Sequence, residues 1–186
     1  MKRIVMAACL AGGTAWGAGF QLYTEGSAEA LGQAGAISGR TNLVSLAWYN
    51  PSALAGTDRQ AIMLGNTFVR IDADFTSDIS PALNVDLDNR WRNVPHFYYV
   101  QPVSERVSGM LSVNAPYGLI TEWPSGWAGS PAAAHSELST IYTTPSFAYR
   151  ISEQVSVSAG FNLVYAREDG EYRPIGEIAF ARNVAA

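Results

Sequence analysis

Cysteine and lysine are almost missing from this chain, and each gap narrows what it can do. Cys9 is the only cysteine among 186 residues. A lone cysteine excludes a disulfide scaffold, and its place in the apolar start, read below as a cleaved signal, excludes thiol chemistry from the mature chain. Lys2 is the only lysine, and the other cations are eleven arginines spread singly. No basic stripe is present to neutralise a run of phosphates, so nucleic acid is not an expected partner. Charged residues amount to 15%, where about a quarter is usual for a soluble domain. The two histidines, His96 and His135, stand far apart without carboxylates at ligating spacing, so no metal is expected. A nucleophile elbow, a phosphate-cradling glycine loop and a dinucleotide fingerprint are also missing. Asp72, Asp74, Asp78, Asp86 and Asp88 lack the glycine and terminal glutamate of a calcium loop and read as solvated loop carboxylates. Neither enzyme chemistry nor a cofactor is expected here.

What is abundant is glycine (17), tyrosine (9), phenylalanine (7) and tryptophan (5), with 48% apolar residues and a mean hydropathy of +0.02. Such a mixture leans towards an aromatic-rich all-β chain. The start has a separate logic. Met1-Lys2-Arg3 is positive, Ile4 to Ala11 is apolar, and Ala15-Trp16-Gly17 is a small-x-small cleavage pattern, so residues 1–17 read as a signal peptide. Gly12-Gly13-Thr14 interrupts the apolar run well short of the ~20 residues a spanning helix needs. Cleavage at Cys9 as a lipoprotein would leave only Ile4 to Ala8, too short for the apolar core of a signal. The mature chain is expected to begin at Ala18, and loss of Lys2 and Arg3 makes it more acidic than the −4 of the whole.

Beyond the start, the dominant pattern is alternation. Val155, Val157, Ala159, Phe161, Leu163 and Tyr165 share one parity, against Ser156, Ser158, Gly160, Asn162, Val164 and Ala166 on the other. A period of two with one apolar and one small or polar face is a strand. The same split runs from Val107 to Gly118, with Gly118 on the parity of Ser112 and Asn114, and again over 141–151. Less regular candidates lie at about 60–75 and 94–104, five strands in all. These exceed the usual ~5–6 residues of soluble strands and suit the ~9–11 needed to cross an outer membrane at a tilt. Connections alternate too: Ser104-Glu105-Arg106 and Ser152-Glu153-Gln154 are tight turns, while 76–93 and 120–137 are long loops, which is the habit of membrane barrels. A secreted β-sandwich is the alternative built from similar strands. Bacterial barrels start at about eight strands, so five imply a piece of a larger barrel. The last residues, 179–186, do not alternate and read as loop.

Residues 18–57 are rich in Gly, Ala and Ser, with a short helix expected near Ala28 to Leu31 and a turn at Asn50-Pro51-Ser52. This segment is either a plug inside the barrel, which larger barrels need to avoid an open channel, or a periplasmic tail. Four stretches in order then carry a family likeness: Ala18-Gly19-Phe20-Gln21-Leu22, Asn50-Pro51-Ser52, Tyr117-Gly118-Leu119 with Thr121-Glu122, and Gly160 to Arg167. Together they resemble the FadL family of outer-membrane transporters for long-chain fatty acids and related hydrophobic compounds, including aromatic hydrocarbons. The resemblance implies an all-β fold, a transmembrane antiparallel β-barrel that is fourteen-stranded in the family, with an N-terminal hatch. It divides the chain into a signal peptide (1–17), a hatch or plug (18–59) and the first part of the barrel (60–186).

The resemblance further implies diffusion of a hydrophobic ligand past the hatch and sideways through a gap at a kink in the third strand. Ala18, Gly19 and Phe20 would line the inner pocket, Asn50, Pro51 and Ser52 would form the plug motif, and Pro116 and Gly118 would mark the kink. Ser52 replaces the family's usual alanine. The residues agree in part, since glycine weakens a ladder and proline removes a donor. Leu119, Ile120, Trp123 and Trp127 are apolar where a wet loop is expected, and serve either a ligand groove or an aromatic belt. The carboxylate-pairing arginine of the family falls at Tyr172, with Arg173 one place off and on the opposite strand face. Expected partners are a long-chain fatty acid or another hydrophobic small molecule, outer-membrane lipid and the barrel-assembly machinery. A non-selective porin or adhesin, or a barrel hydrolase with its site elsewhere, remain as other classes.

Overall fold

The computed structural model describes residues 21–88, 90–132, 134–172 and 180–184. The expected signal peptide and Ala18, Gly19 and Phe20 lie outside the described residues. Among the described residues ten strands follow in order: β1 (Ala61–Arg70), β2 (Asp74–Phe75), β3 (Val85–Asp86), β4 (Trp91–Pro102), β5 (Val107–Asn114), β6 (Gly118–Glu122), β7 (His135–Arg150), β8 (Ser156–Gly160), β9 (Leu163–Tyr172) and β10 (Phe180–Val184). All but β2 and β3 join one antiparallel sheet, in the order β1-β4-β5-β7-β9-β10, with β6 and β8 also on β7. β2 and β3 pair as a small hairpin in the long loop after β1. Among the described residues β1 bonds only to β4 and β10 only to β9, so the sheet is open at both edges.

Several expected boundaries change. β4 begins at Trp91, three residues before the expected strand. β7 begins at His135, because a ladder of backbone bonds continues through His-Ser-Glu-Leu-Ser-Thr although neither parity there is apolar. The tail read as loop contains β10, paired with β9. β8 and β9 form a single line in constant register against β7, interrupted at Phe161 and Asn162. The cause is Pro145: its carbonyl accepts from the Phe161 amide at 3.3 Å, and its missing N–H cannot return the bond.

The two faces of the sheet differ: the outward one is apolar, and the inward one mixes small polar residues with apolar ones. Outward side chains include Ile62, Leu64 and Phe68 on β1, Phe147 and Tyr149 on β7, and Leu163 and Tyr165 on β9, all exposed. Inward positions carry Ser108, Ser112, Thr140 and Ser146, all buried. An exposed apolar outward face is what a strand that meets lipid on one side requires.

What buries the inner face is the N-terminal segment 21–60. It folds into two short helices, α1 (Ala28–Gly32) and α2 (Leu46–Tyr49), with single 3₁₀ turns at Thr24–Gly26 and Pro51–Leu54. Ser27 caps α1 by accepting the Ala30 amide at 3.0 Å. Leu46, Ala47, Leu54 and Ala55 pack on Tyr98, Val100, Met110 and Ala148 of the sheet, making one apolar core. Tyr98 donates its hydroxyl to the Gly26 carbonyl at 2.7 Å, Tyr49 to Tyr23 at 2.6 Å and Thr67 to Glu25 at 2.7 Å. Burial, with Tyr23 alongside, holds the Tyr49 phenol above its ordinary range, which keeps it a donor.

Candidate functional site

The third strand of the wall is broken, and the break organises everything near it. Asn114, the last residue of β5, lies opposite Tyr142, whereas Gly118, the first of β6, lies opposite Ser139. Four steps on the broken strand match three on β7, so one residue is extra and forms a bulge. Pro116 explains why the ladder fails there, since it has no N–H to give. The Thr140 hydroxyl takes over the lost bonds, accepting from the Tyr117 amide at 3.1 Å and donating to the Tyr117 carbonyl at 2.7 Å. The bulge also reverses parity. Leu119 opposes Leu138 on the inner side, while Gly118 and Ser139 fall on the other. The uninterrupted alternation expected from Val107 to Gly118 is thereby corrected: Gly118 does not share a face with Asn114.

Across the break from β7, the wall is unpaired. The β4–β5 ladder ends at His96 and Asn114, and Pro95 follows as a second residue without a donor. From Trp91 to Pro95, β4 bonds only to β1. The next tie is beyond the gap, where the Asp88 amide donates to the Glu122 carbonyl at 2.8 Å and Arg90 pairs with Glu122 at 3.7 Å. A slit therefore separates β4 from the broken strand, closed at both ends.

The chain's own N-terminal segment enters this slit. Gln21 bridges to Tyr117, and the Leu22 amide donates to the Pro116 carbonyl at 2.7 Å. A cavity of about 280 Å³ lies behind, lined by Leu22, Val69, Ile71, Val94, Tyr117, Gly118, Leu119, Ile120 and Leu138, with Arg92 and Thr140. Pro95 and Ile141, from the outer face, line it as well, so it passes through the sheet. Gly118 leaves little room for a side chain, since a Cβ there would sit 3.1 Å from Leu22 Cδ1. The larger hollow of about 620 Å³ lies by the short turns, lined by Asp58, Glu105, Arg106 and Glu153, and is water-facing.

The other expected site residues fall into separate places. Leu119 and Ile120 belong to β6 and the cavity, correcting their reading as loop residues. Trp123 and Trp127 stack at 4.5 Å, with Phe75 edge-on to Trp127 at 5.5 Å; this aromatic knot joins two long loops and does not line the cavity. Asn50 ends α2 and, with Pro51, begins the next 3₁₀ turn. Its amide donates to the Ser38 carbonyl at 2.7 Å, and the Ser52 hydroxyl donates to its Oδ1 at 2.7 Å. Tyr172 ends β9, but its side chain and Arg173 lie outside the described residues. Pro95 and Arg92 were not singled out from the sequence, because only the register brings them to the break, and Leu22 entered only as the last residue of the N-terminal motif.

A family model described as outer membrane protein transport protein (OMPP1/FadL/TodX) matches residues 7–176. The chain belongs to the FadL family of outer-membrane transport proteins. Curated relatives include the long-chain fatty acid transport protein of Salmonella typhi, 32% identical over 92% of this chain and 40% of its own length. The protein of that name from Escherichia coli K12 is 31% identical over 88% of the chain and 37% of its length. Outer membrane protein P1 of Haemophilus influenzae is 27% identical over 95% and 42%. The chain thus spans about two fifths of these relatives. The crystal structure of a Pseudomonas aeruginosa FadL homologue superposes with a TM-score of 0.71 at 22% identity, covering 83% of this chain and 39% of that one. The sheet described above is therefore part of a FadL-type outer-membrane β-barrel fold.

Proposed function

We propose that the protein containing this chain takes up long-chain fatty acids or other hydrophobic compounds across the outer membrane by diffusion. Residues 1–17 direct its export, residues 18–59 form a hatch inside the barrel, and residues from 60 onward supply the first part of the wall. The observation that carries this reading is the cavity at the broken third strand. It is largely apolar, reaches both faces of the sheet and is stopped by Leu22 of the hatch. A hydrophobic ligand passing there leaves the barrel sideways into lipid and never crosses bulk water. A water-filled porin gains nothing from such an arrangement. Nothing in the route requires a cofactor or an energy source within the chain.

The test is a reversible lock. Within this segment the one cysteine is Cys9 of the expected signal peptide, so Leu22→Cys together with Gly118→Cys, with any cysteine elsewhere in the whole gene replaced by serine, introduces one pair at the point of contact. In cells expressing the whole gene, uptake of radiolabelled oleate should fall about tenfold or more when the pair is oxidised and return on reduction. Equal uptake in both states, with cross-linking verified, overturns the lateral route.

A further inference from the structure

We propose, on the transport reading above, that Arg92 is the site that holds an anionic head group at the wall opening, and that the preferred ligand is a long-chain carboxylate. Arg92 shares the inner parity of β4 with the buried Val94, His96 and Tyr98. Among the residues lining the cavity it is the one charged side chain. Among the described residues its guanidinium makes no hydrogen bond or ion pair, in contrast to Arg90, Arg150 and Arg167, which all have partners. A half-buried cation facing apolar walls is costly unless an anion joins it. The planar guanidinium fork accepts a carboxylate through two parallel hydrogen bonds, a fit that neither an ester nor a hydrocarbon offers.

The rest of the cavity suits the rest of such a molecule. From Arg92 on the inner face, the lining runs through Leu119 and Ile120 to Pro95 and Ile141 on the lipid-facing side. A carboxylate held inside leaves its chain pointing into the slit, tail first. The head is then the last part to leave, and Arg92 sets how long it stays. This assignment also supplies a carboxylate partner from β4 in place of the one expected near Tyr172 and Arg173.

The experiment measures binding of tritiated oleate and of tritiated methyl oleate, equal in tail, to outer membranes from cells expressing the whole gene at pH 7. The quantity read is the ratio of the two affinities. Arg92→Gln should lower the oleate to methyl oleate ratio about tenfold, as expected for loss of a charge-assisted pair, and Arg92→Lys should recover part of it. A merely structural role would move both ligands together and leave the ratio unchanged, which overturns the proposal. Wild-type membranes that bind methyl oleate without preferring oleate overturn it too, while the transport reading stands. Wild-type membranes that bind neither ligand above a vector control overturn both.

Discussion

The N-terminal segment is held in opposite ways at its two ends. Near the short turns it is anchored: Leu46 and Ala47 are fully buried, and Leu54 and Ala55 nearly so. Arg150 reaches from the end of β7 to the Ala55 and Gly56 carbonyls at 2.6 and 3.1 Å. Gly56 fits there because its φ is +65° and a Cβ would collide with the Glu105 carbonyl. Towards the long loops the apolar core gives way to hydrogen bonds, from Tyr98 to Gly26, from Thr67 to Glu25 and from Leu22 to Pro116. Glu29 Oε2, His96 Nδ1 and Asn114 Oδ1 are buried there without partners among the described residues, as Ser45 Oγ and Ser146 Oγ are nearer the apolar core, and Leu22 meets a cavity. Apolar packing at one end and hydrogen bonds beside a cavity at the other give a segment that is held by its core at the foot and by polar contacts at the tip. Motion at Leu22 therefore does not require the core around Leu46 to open.

The largest expected effect is at the foot. Leu46→Ala should cost about 2–5 kcal/mol of the segment's attachment, read as a rise in amide hydrogen exchange through 43–57 in the folded barrel. Exchange that stays slow there would show that the apolar core is not what anchors the segment. Arg150→Ala removes two charge-assisted bonds at a largely exposed position, so about 1 kcal/mol is expected, with protease sensitivity appearing near Gly56. Ser52→Ala deletes one hydroxyl bond to Asn50 and restores the family's usual residue, so about 0.5–1 kcal/mol is expected in urea unfolding of the purified protein. At the tip, Glu29→Leu should change stability by less than about 1 kcal/mol, since it removes an oxygen with no partner. A loss comparable to that of Leu46→Ala would erase the difference between the two ends.

How much of this was legible in the residues depends on what each feature is made of. The strands from Val107 and from Val155 could be read directly, because lipid on one side and a filled lumen on the other impose a two-residue period. Their ends could not: β7 starts six residues before Ile141, and β10 carries no clear alternation, because backbone pairing continues where side-chain pattern stops. Pro116 and Gly118 marked the break through their own chemistry. Its other half, Pro95, lies on a different strand, and only the register of β4 against β5 places it there. Arg92 was hidden for the same reason, sitting in what read as a loop. Trp123 and Trp127 were visible as apolar residues, but their partner Phe75 comes from another loop and turns them into a knot.

The bulge at the third strand has a consequence for how this protein can change over time. A substitution at 115, 116 or 117 alters one side chain and leaves the count of residues intact. Removing residue 115 or 117 would make the steps on the broken strand equal those on β7 and bring the two halves into phase, leaving only Pro116 to interrupt the ladder. Adding one would turn the inner parity of Leu119 outward. The break is thus written in chain length as well as in Pro116, and drift at 115 and 117 should be tolerant of spelling and intolerant of insertion or deletion.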